Sequence, residues 1–197
     1  MFKILNVVAG LLFIVAFVPY ILAIVRGQTK PAKVSWIIWA TLDSITFAGM
    51  CAQNTLNGQI IGAIIGAWTV VILAMKFGTP GWTFKDILYL VGGALGIILW
   101  MKFSNPTLAI VTSSLVVFLG AFSTFENAIK YPEQEDKIAW LIFWLSCVAA
   151  IIAIPKWNFD NAAQPVTFTV IETTMMYLLW LRPRTAVTKP SVTTSAE

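Results

Sequence analysis

The chain has 197 residues, 58% of them hydrophobic and 11% charged, with a mean hydropathy of +0.82, a formal net charge of +4 and an isoelectric point near 9.2. Too few polar side chains exist to cover a soluble domain, so the composition predicts an integral membrane protein. The basic residues stand singly between apolar runs, which argues against a nucleic-acid patch; two cysteines in separate runs and no histidine leave a metal centre or a disulfide framework without support.

Apolar runs follow one another at about 4–25, 34–52, 58–76, 85–102, 107–129, 138–155 and 163–181. At ~1.5 Å per residue such runs match a ~30 Å hydrocarbon core, and seven transmembrane helices are predicted. The first has the early lysine of a secretory signal, Lys3, but a long apolar core without a small-residue cleavage site, and reads as a retained helix. The second carries Trp36, Trp39 and Asp43 at i, i+3 and i+7, one face of a helix. In the third, Gly58, Gly62 and Gly66 form a stripe suited to close helix packing, with Trp68 about 200° around the helix from it. The fourth, Ile87 to Met101 in its purely apolar part, is the shortest and contains Gly92, Gly93 and Gly96. The fifth ends near Glu126 and Asn127. The YPEQEDK loop then supplies acids suited to a helix start, and the sixth run repeats the second with Trp140, Trp144 and Cys147 at i, i+4 and i+7. The seventh holds Glu172 deep within it. The tail 182–197 has too little apolar content to fold alone and is predicted to be disordered.

Loop charge sets the orientation. With the N-terminus outside, Arg26, Lys30, Lys33, Lys76, Lys85, Lys130, Lys137, Arg182, Arg184 and Lys189 fall on the cytoplasmic side, against Lys3, Lys102 and Lys156 on the other. This is a strong positive-inside bias, and it puts the C-terminus and its tail inside.

Shifting the chain by 104 positions superposes helices 1, 2 and 3 on helices 5, 6 and 7 without a gap. Trp36 then meets Trp140, Lys33 meets Lys137, Thr69 meets Thr173 and Arg26 meets Lys130. Three helices reverse the chain direction and one linker helix restores it. The expected plan is therefore an all-α membrane protein of two parallel three-helix bundles: residues 1–81, a linker helix at 82–104, and residues 105–181, with a solute site between the repeats at mid-depth.

This 3+1+3 arrangement resembles the SWEET and PQ-loop superfamily and the structurally similar nicotinamide-riboside transporters and KDEL receptors. The segment VPYILAIVRGQTKPAKVSWIIWA is similar to the first loop of small bacterial membrane proteins with a G-x-T-K-P-x-x-V-S-W stretch, and AIKYPEQEDKIAWLIFW looks like the matching second loop. Where the PQ-loop group has its Pro-Gln pair, this chain has Pro19-Tyr20 and Ser123-Thr124. Of the four hinge prolines of the SWEET sugar transporters only Pro19 has a counterpart, and Trp68 and Glu172 stand where paired asparagines are expected. The resemblance implies solute transport in a bacterial inner membrane as a multi-pass protein, with sugar specificity and the hinge mechanism both departed from.

Asp43 and Glu172 each lie about ten residues into an apolar run that contains no Lys, Arg or His partner. An ionisable group at that depth costs at least a few kcal/mol, so both are expected to face a cavity and to bind a cation or carry a proton; the bland reading is a protonated carboxyl hydrogen-bonded to a neighbouring helix. Trp36, Trp39, Trp68, Trp140 and Trp144 are candidate aromatic walls, although an interfacial belt accounts equally for Trp36 and Trp140, and a lipid-facing position equally for Trp68. Tyr20, Glu126 and Asn127 are candidates for a gate at the cytoplasmic mouth, with solvated interface positions as the alternative for the last two. The function expected is a transporter or facilitator for a small aromatic or cationic solute, such as an amino acid, sugar or vitamin precursor, with proton coupling through the carboxyls. A receptor on the same scaffold is the alternative. An enzyme is disfavoured, no cofactor or metal is called for, nucleic acid is not a partner, and the lipid bilayer is; a homo-oligomer is left open. A retinal protein is excluded by the lack of lysine in the last helix.

Overall fold

Short polar punctuation between the apolar runs starts and stops the helices. The computed structural model describes residues 2–28, 30–31, 33–78, 81–130 and 132–182, apart from the side chains of Ser123, Asn127 and Gln134. The expected disordered tail, with Arg184 and Lys189, thus lies almost wholly outside the described residues. Among the described residues there are seven α-helices and no strand: α1 Phe2–Val25, α2 Lys33–Ala52, α3 Gly58–Phe77, α4 Phe84–Phe103, α5 Pro106–Lys130, α6 Lys137–Ile152 and α7 Phe159–Met176. Asn57, Thr83, Asp136 and Asn158 accept hydrogen bonds from the first-turn amides of α3, α4, α6 and α7. At α4 this is a reciprocal capping box, with Asp86 returning to the Thr83 amide. Pro106 opens α5, where its missing N–H costs nothing.

Helices α1 to α5 are long and apolar enough to cross a membrane, which makes this a multi-pass membrane protein. Helix α6, with 16 residues, spans only ~24 Å. Helix α7 continues through a π-helical segment, Tyr177–Leu181, which carries its reach to the same end as the α1–α2 loop. That end collects Arg26, Lys30, Lys33, Lys76, Lys85, Lys130, Lys137 and Arg182, and is called the basic end below.

Helix α3 packs on both α1 and α2, and α7 packs on both α5 and α6. These two triplets meet through α1 against α6 and α2 against α5, while α4 lies on α5 and more lightly on α2. Small residues make the approaches possible. A Cβ on Gly10 would sit 2.6 Å from the Gly58 carbonyl oxygen, and one on Gly66 would lie 2.0 Å from the Phe17 ring. Ala9 with Ala149 and Ala150 does the same at the α1–α6 seam. The glycines of the fourth run are its packing face, since Cβ atoms on Gly92 and Gly93 would meet Val116 and Leu42 at 2.6 and 2.9 Å.

Candidate functional site

The inner surfaces of six helices line a partly open cavity of about 120 Å³. Helix α1 contributes Phe13 and Phe17, α2 Trp36, Trp39 and Asp43, and α3 Ala67; α5 contributes Val117, Ala121 and Thr124, α6 Trp140 and Phe143, and α7 Phe168, Ile171 and Glu172. Five pairs of these residues are 104 positions apart in sequence: Phe13 and Val117, Phe17 and Ala121, Trp36 and Trp140, Trp39 and Phe143, Ala67 and Ile171. The chamber is therefore lined by both triplets at positions a constant 104 residues apart, and α4 adds nothing to its wall.

Both acids line this one chamber. Asp43 lies ~15 Å from the basic end of α2, and Glu172 a similar ~14 Å from the basic end of the α7 continuation. Their side chains are 8% and 6% exposed, so each is reached only through the cavity or its walls. The Oε2 atom of Glu172 is buried and has no hydrogen-bond partner among the described residues. The one ion pair found among those residues, Lys85 with Glu126 at 4.0 Å, lies on the surface and touches neither acid. A carboxylate held this way lacks counter-charge, which makes the chamber receptive to a cation or a proton.

Toward the basic end the chamber is flanked by Trp36 and Trp140. Trp36 donates its indole N–H to the Tyr20 hydroxyl at 3.2 Å, and Trp140 donates to Glu135 Oε2 at 2.9 Å. Tyr20 thus buttresses a wall residue from the side, its ring 5.3 Å from that of Trp36. Burial holds the Glu135 carboxyl above its ordinary range, against the opposing pull of the Trp140 N–H.

Toward the other end the chamber is closed twice. A phenylalanine floor comes first, with Phe13 ring centroids 4.7 Å from Phe143 and 5.4 Å from Phe168. Beyond it runs a buried chain of amides across both triplets. Asn57 Nδ2 donates to Gln164 Oε1 at 2.9 Å, Gln164 Nε2 to Gln59 Oε1 at 3.0 Å, and Gln59 Nε2 to Cys147 Sγ at 3.1 Å. Ser146 continues it by donating to the Ala9 carbonyl at 2.7 Å. Gln59 is fully buried and Gln164 is 1% exposed, so these bonds seal α3 against α6 and α7 with little room for water. A second closure at the same end links three helices, with Gln53 donating to Thr107 at 3.0 Å and Thr107 donating to Asp160.

Of the aromatic candidates, Trp36, Trp39 and Trp140 line the chamber, whereas Trp68 and Trp144 do not. Trp68 is 40% exposed and donates to Ser44 at 3.1 Å, tying α3 to α2; Trp144 donates to Thr173 at 3.1 Å, tying α6 to α7. These are corrections to the sequence expectation, and the cause is rotation. One residue is 100° of helix, so Ala67 faces inward where Trp68 faces out, and Phe143 inward where Trp144 faces out. Glu126 is also displaced from the expected gate, because its side chain is 56% exposed and turned to Lys85 on α4. The Asn127 side chain lies outside the described residues.

No family model matches the chain, and no solved structure matches it. The chain is similar to Ammonium transporter 2 of Arabidopsis thaliana, at 22% identity over 157 residues, 66% of this chain and 33% of that protein. It thus spans about a third of the length of the curated relative it matches.

The floor phenylalanines and the amide chain went unread in the sequence. A signal was present: Gln164, Phe168 and Glu172 recur every four residues along one face of α7, and Gln59 is a lone amide inside an apolar run.

Proposed function

We propose that this chain is a membrane transporter or facilitator for a small cationic or aromatic solute, which binds between two three-helix repeats near mid-depth. The observation that carries this is the sharing of one chamber by Asp43 and Glu172, one from each triplet, with no basic residue in its wall. Similarity to an ammonium transporter supports the transporter class, and the apolar helices support the membrane setting. In this reading the repeats are 1–81 and 105–181, joined by α4, as the SWEET and PQ-loop resemblance implies. The packing of α3 between α1 and α2, matched by α7 between α5 and α6, supports that division. The positive-inside distribution supports an outside N-terminus in a bacterial inner membrane.

The described arrangement then corresponds to a carrier closed on the outer side by the phenylalanine floor and the amide chain. Rocking of one triplet against the other would break the Gln59–Gln164 bond and open that side. Either carboxyl can exchange a proton for the charge of a bound cation, which is the basis for proton coupling. In proteoliposomes, Asp43→Asn and Glu172→Gln proteins are expected to lose uptake or its response to an imposed pH gradient. Uptake by both variants equal to wild type, with and without the gradient, removes the coupling and the carboxylate site together.

A further inference from the structure

The chamber's chemistry selects its occupant more narrowly than its position does. We propose that it takes a compact organic monocation, an alkylammonium or guanidinium of up to about six non-hydrogen atoms, a size set by comparison with the ~150 Å³ cavity that accommodates benzene. The proposal rests on the carrier reading above for the site's role, and on four observations for the ligand.

The volume comes first: about 120 Å³ is somewhat smaller than that benzene-sized space, so the group seated between the two carboxyls is a small one. Second, the wall is rich in acceptors and poor in donors. The indole N–H groups of Trp36 and Trp140 are engaged by Tyr20 and Glu135, and the Trp39 Nε1 lies against α5, 3.1 Å from the point where a Cβ on Gly120 would stand. What remains is two carboxyls, the Thr124 hydroxyl, the Trp39 N–H and aromatic faces, so a neutral polyol would find few donors for its own oxygens and a zwitterion would bring its carboxylate against two acids. Third, Glu172 Oε2 is buried and has no hydrogen-bond partner among the described residues, so an ammonium or guanidinium N–H would satisfy it. Fourth, aromatic rings surround the acids, and they attract an alkylated cation more than a strongly hydrated bare ion. Among the described residues there is no group of three His, Cys, Asp or Glu side chains able to hold a metal ion, so a divalent cation has no ligand set.

The test uses the full chain, purified in detergent, with tryptophan fluorescence and thermal unfolding as readouts. The probes are methylammonium, ethylammonium and guanidinium, then tetrabutylammonium, glucose, arginine and glycine, each against sodium chloride of equal ionic strength. Saturable shifts with the three small cations, absent for the others, are expected. The Glu172→Gln protein should bind about tenfold more weakly or worse, and Trp68→Phe and Trp144→Phe should bind as wild type. The size series on the unmodified chain keeps the proposal testable where Glu172→Gln fails to fold. A shift reproduced by sodium chloride, or tighter binding of glucose, glycine or tetrabutylammonium, overturns the proposal. Uptake of radiolabelled methylammonium or guanidinium into proteoliposomes separates the two readings. Binding without uptake supports the ligand class and refutes the carrier, whereas uptake of a larger solute without small-cation binding refutes the ligand class and leaves the carrier.

Discussion

The bond between Gln164 and Gln59 allows a quantitative test of how the chamber is closed on the side away from the basic end. Replacing Gln164 by Leu leaves Gln59 Oε1 and Asn57 Nδ2 without their partners. Gln59 Oε1 is buried and orphaning it costs about 1–3 kcal/mol, whereas Asn57 is half-buried and its amide meets water at a smaller cost. Gln59→Leu orphans only the Gln164 Nε2 group, since the thiol of Cys147 was a weak acceptor, and costs about 1–3 kcal/mol. In the double variant neither end of the Gln59–Gln164 bond exists, and only Asn57 Nδ2 stays orphaned. The double variant should therefore be more stable than Gln164→Leu alone, and a double-mutant cycle on thermal or denaturant unfolding should show a coupling of about 2–6 kcal/mol. In the single variants the orphaned amides gain by meeting water, so hydrogen exchange over 159–168 should quicken as that end opens. Additive effects within about 0.5 kcal/mol would refute the reasoning, because they would mean that the two amides were never exchanging a bond.

The seat of Phe17 and the loop acid give two more outcomes. In Gly66→Ala the new methyl would stand 2.0 Å from the Phe17 ring, which must move toward the chamber it lines; a loss of about 1–3 kcal/mol is expected together with weakened solute binding. Gly10→Ala presses instead on the Gly58 carbonyl oxygen at 2.6 Å and should lower stability with less effect on binding, so equal binding by both variants would contradict the assignment. Glu135 is held above its ordinary 4.5, so the folded protein binds its proton more tightly than the unfolded chain. Its contribution is full below that ordinary value and is lost as pH rises through the raised one. The difference in unfolding temperature between wild type and Glu135→Gln should accordingly fall with rising pH across that window, and a rising difference would count against the burial of this carboxyl.

Hydropathy is a one-dimensional property, and it was legible in one dimension. The seven apolar runs coincide with seven α-helices to within a few residues at each end, because leaving backbone amides unpaired in an apolar medium is prohibitive and the helix satisfies them locally. The depth of Asp43 and Glu172 followed in the same way from counting residues at a fixed rise. The fourth run was legible as a helix in spite of its glycines, which lower helix propensity in water; here Gly92 and Gly93 are where α4 lies against α5 and α2.

What sequence could not supply was rotation about each helix axis. A soluble helix announces its buried face by the polarity of the other, but in α6 both faces are apolar, and nothing in the run marks Phe143 as inward and Trp144 as outward. That choice is made by packing: by the glycine seat that admits Phe17, by the amide chain that draws α7 onto α3, and by the tryptophan ties that clip α2 to α3 and α6 to α7. Sequence by itself therefore determined how many helices there are, how long they run and how deep the acids lie; tertiary structure alone decided which side chains share the chamber, since a turn of 100° separates a wall residue from a lipid-facing one.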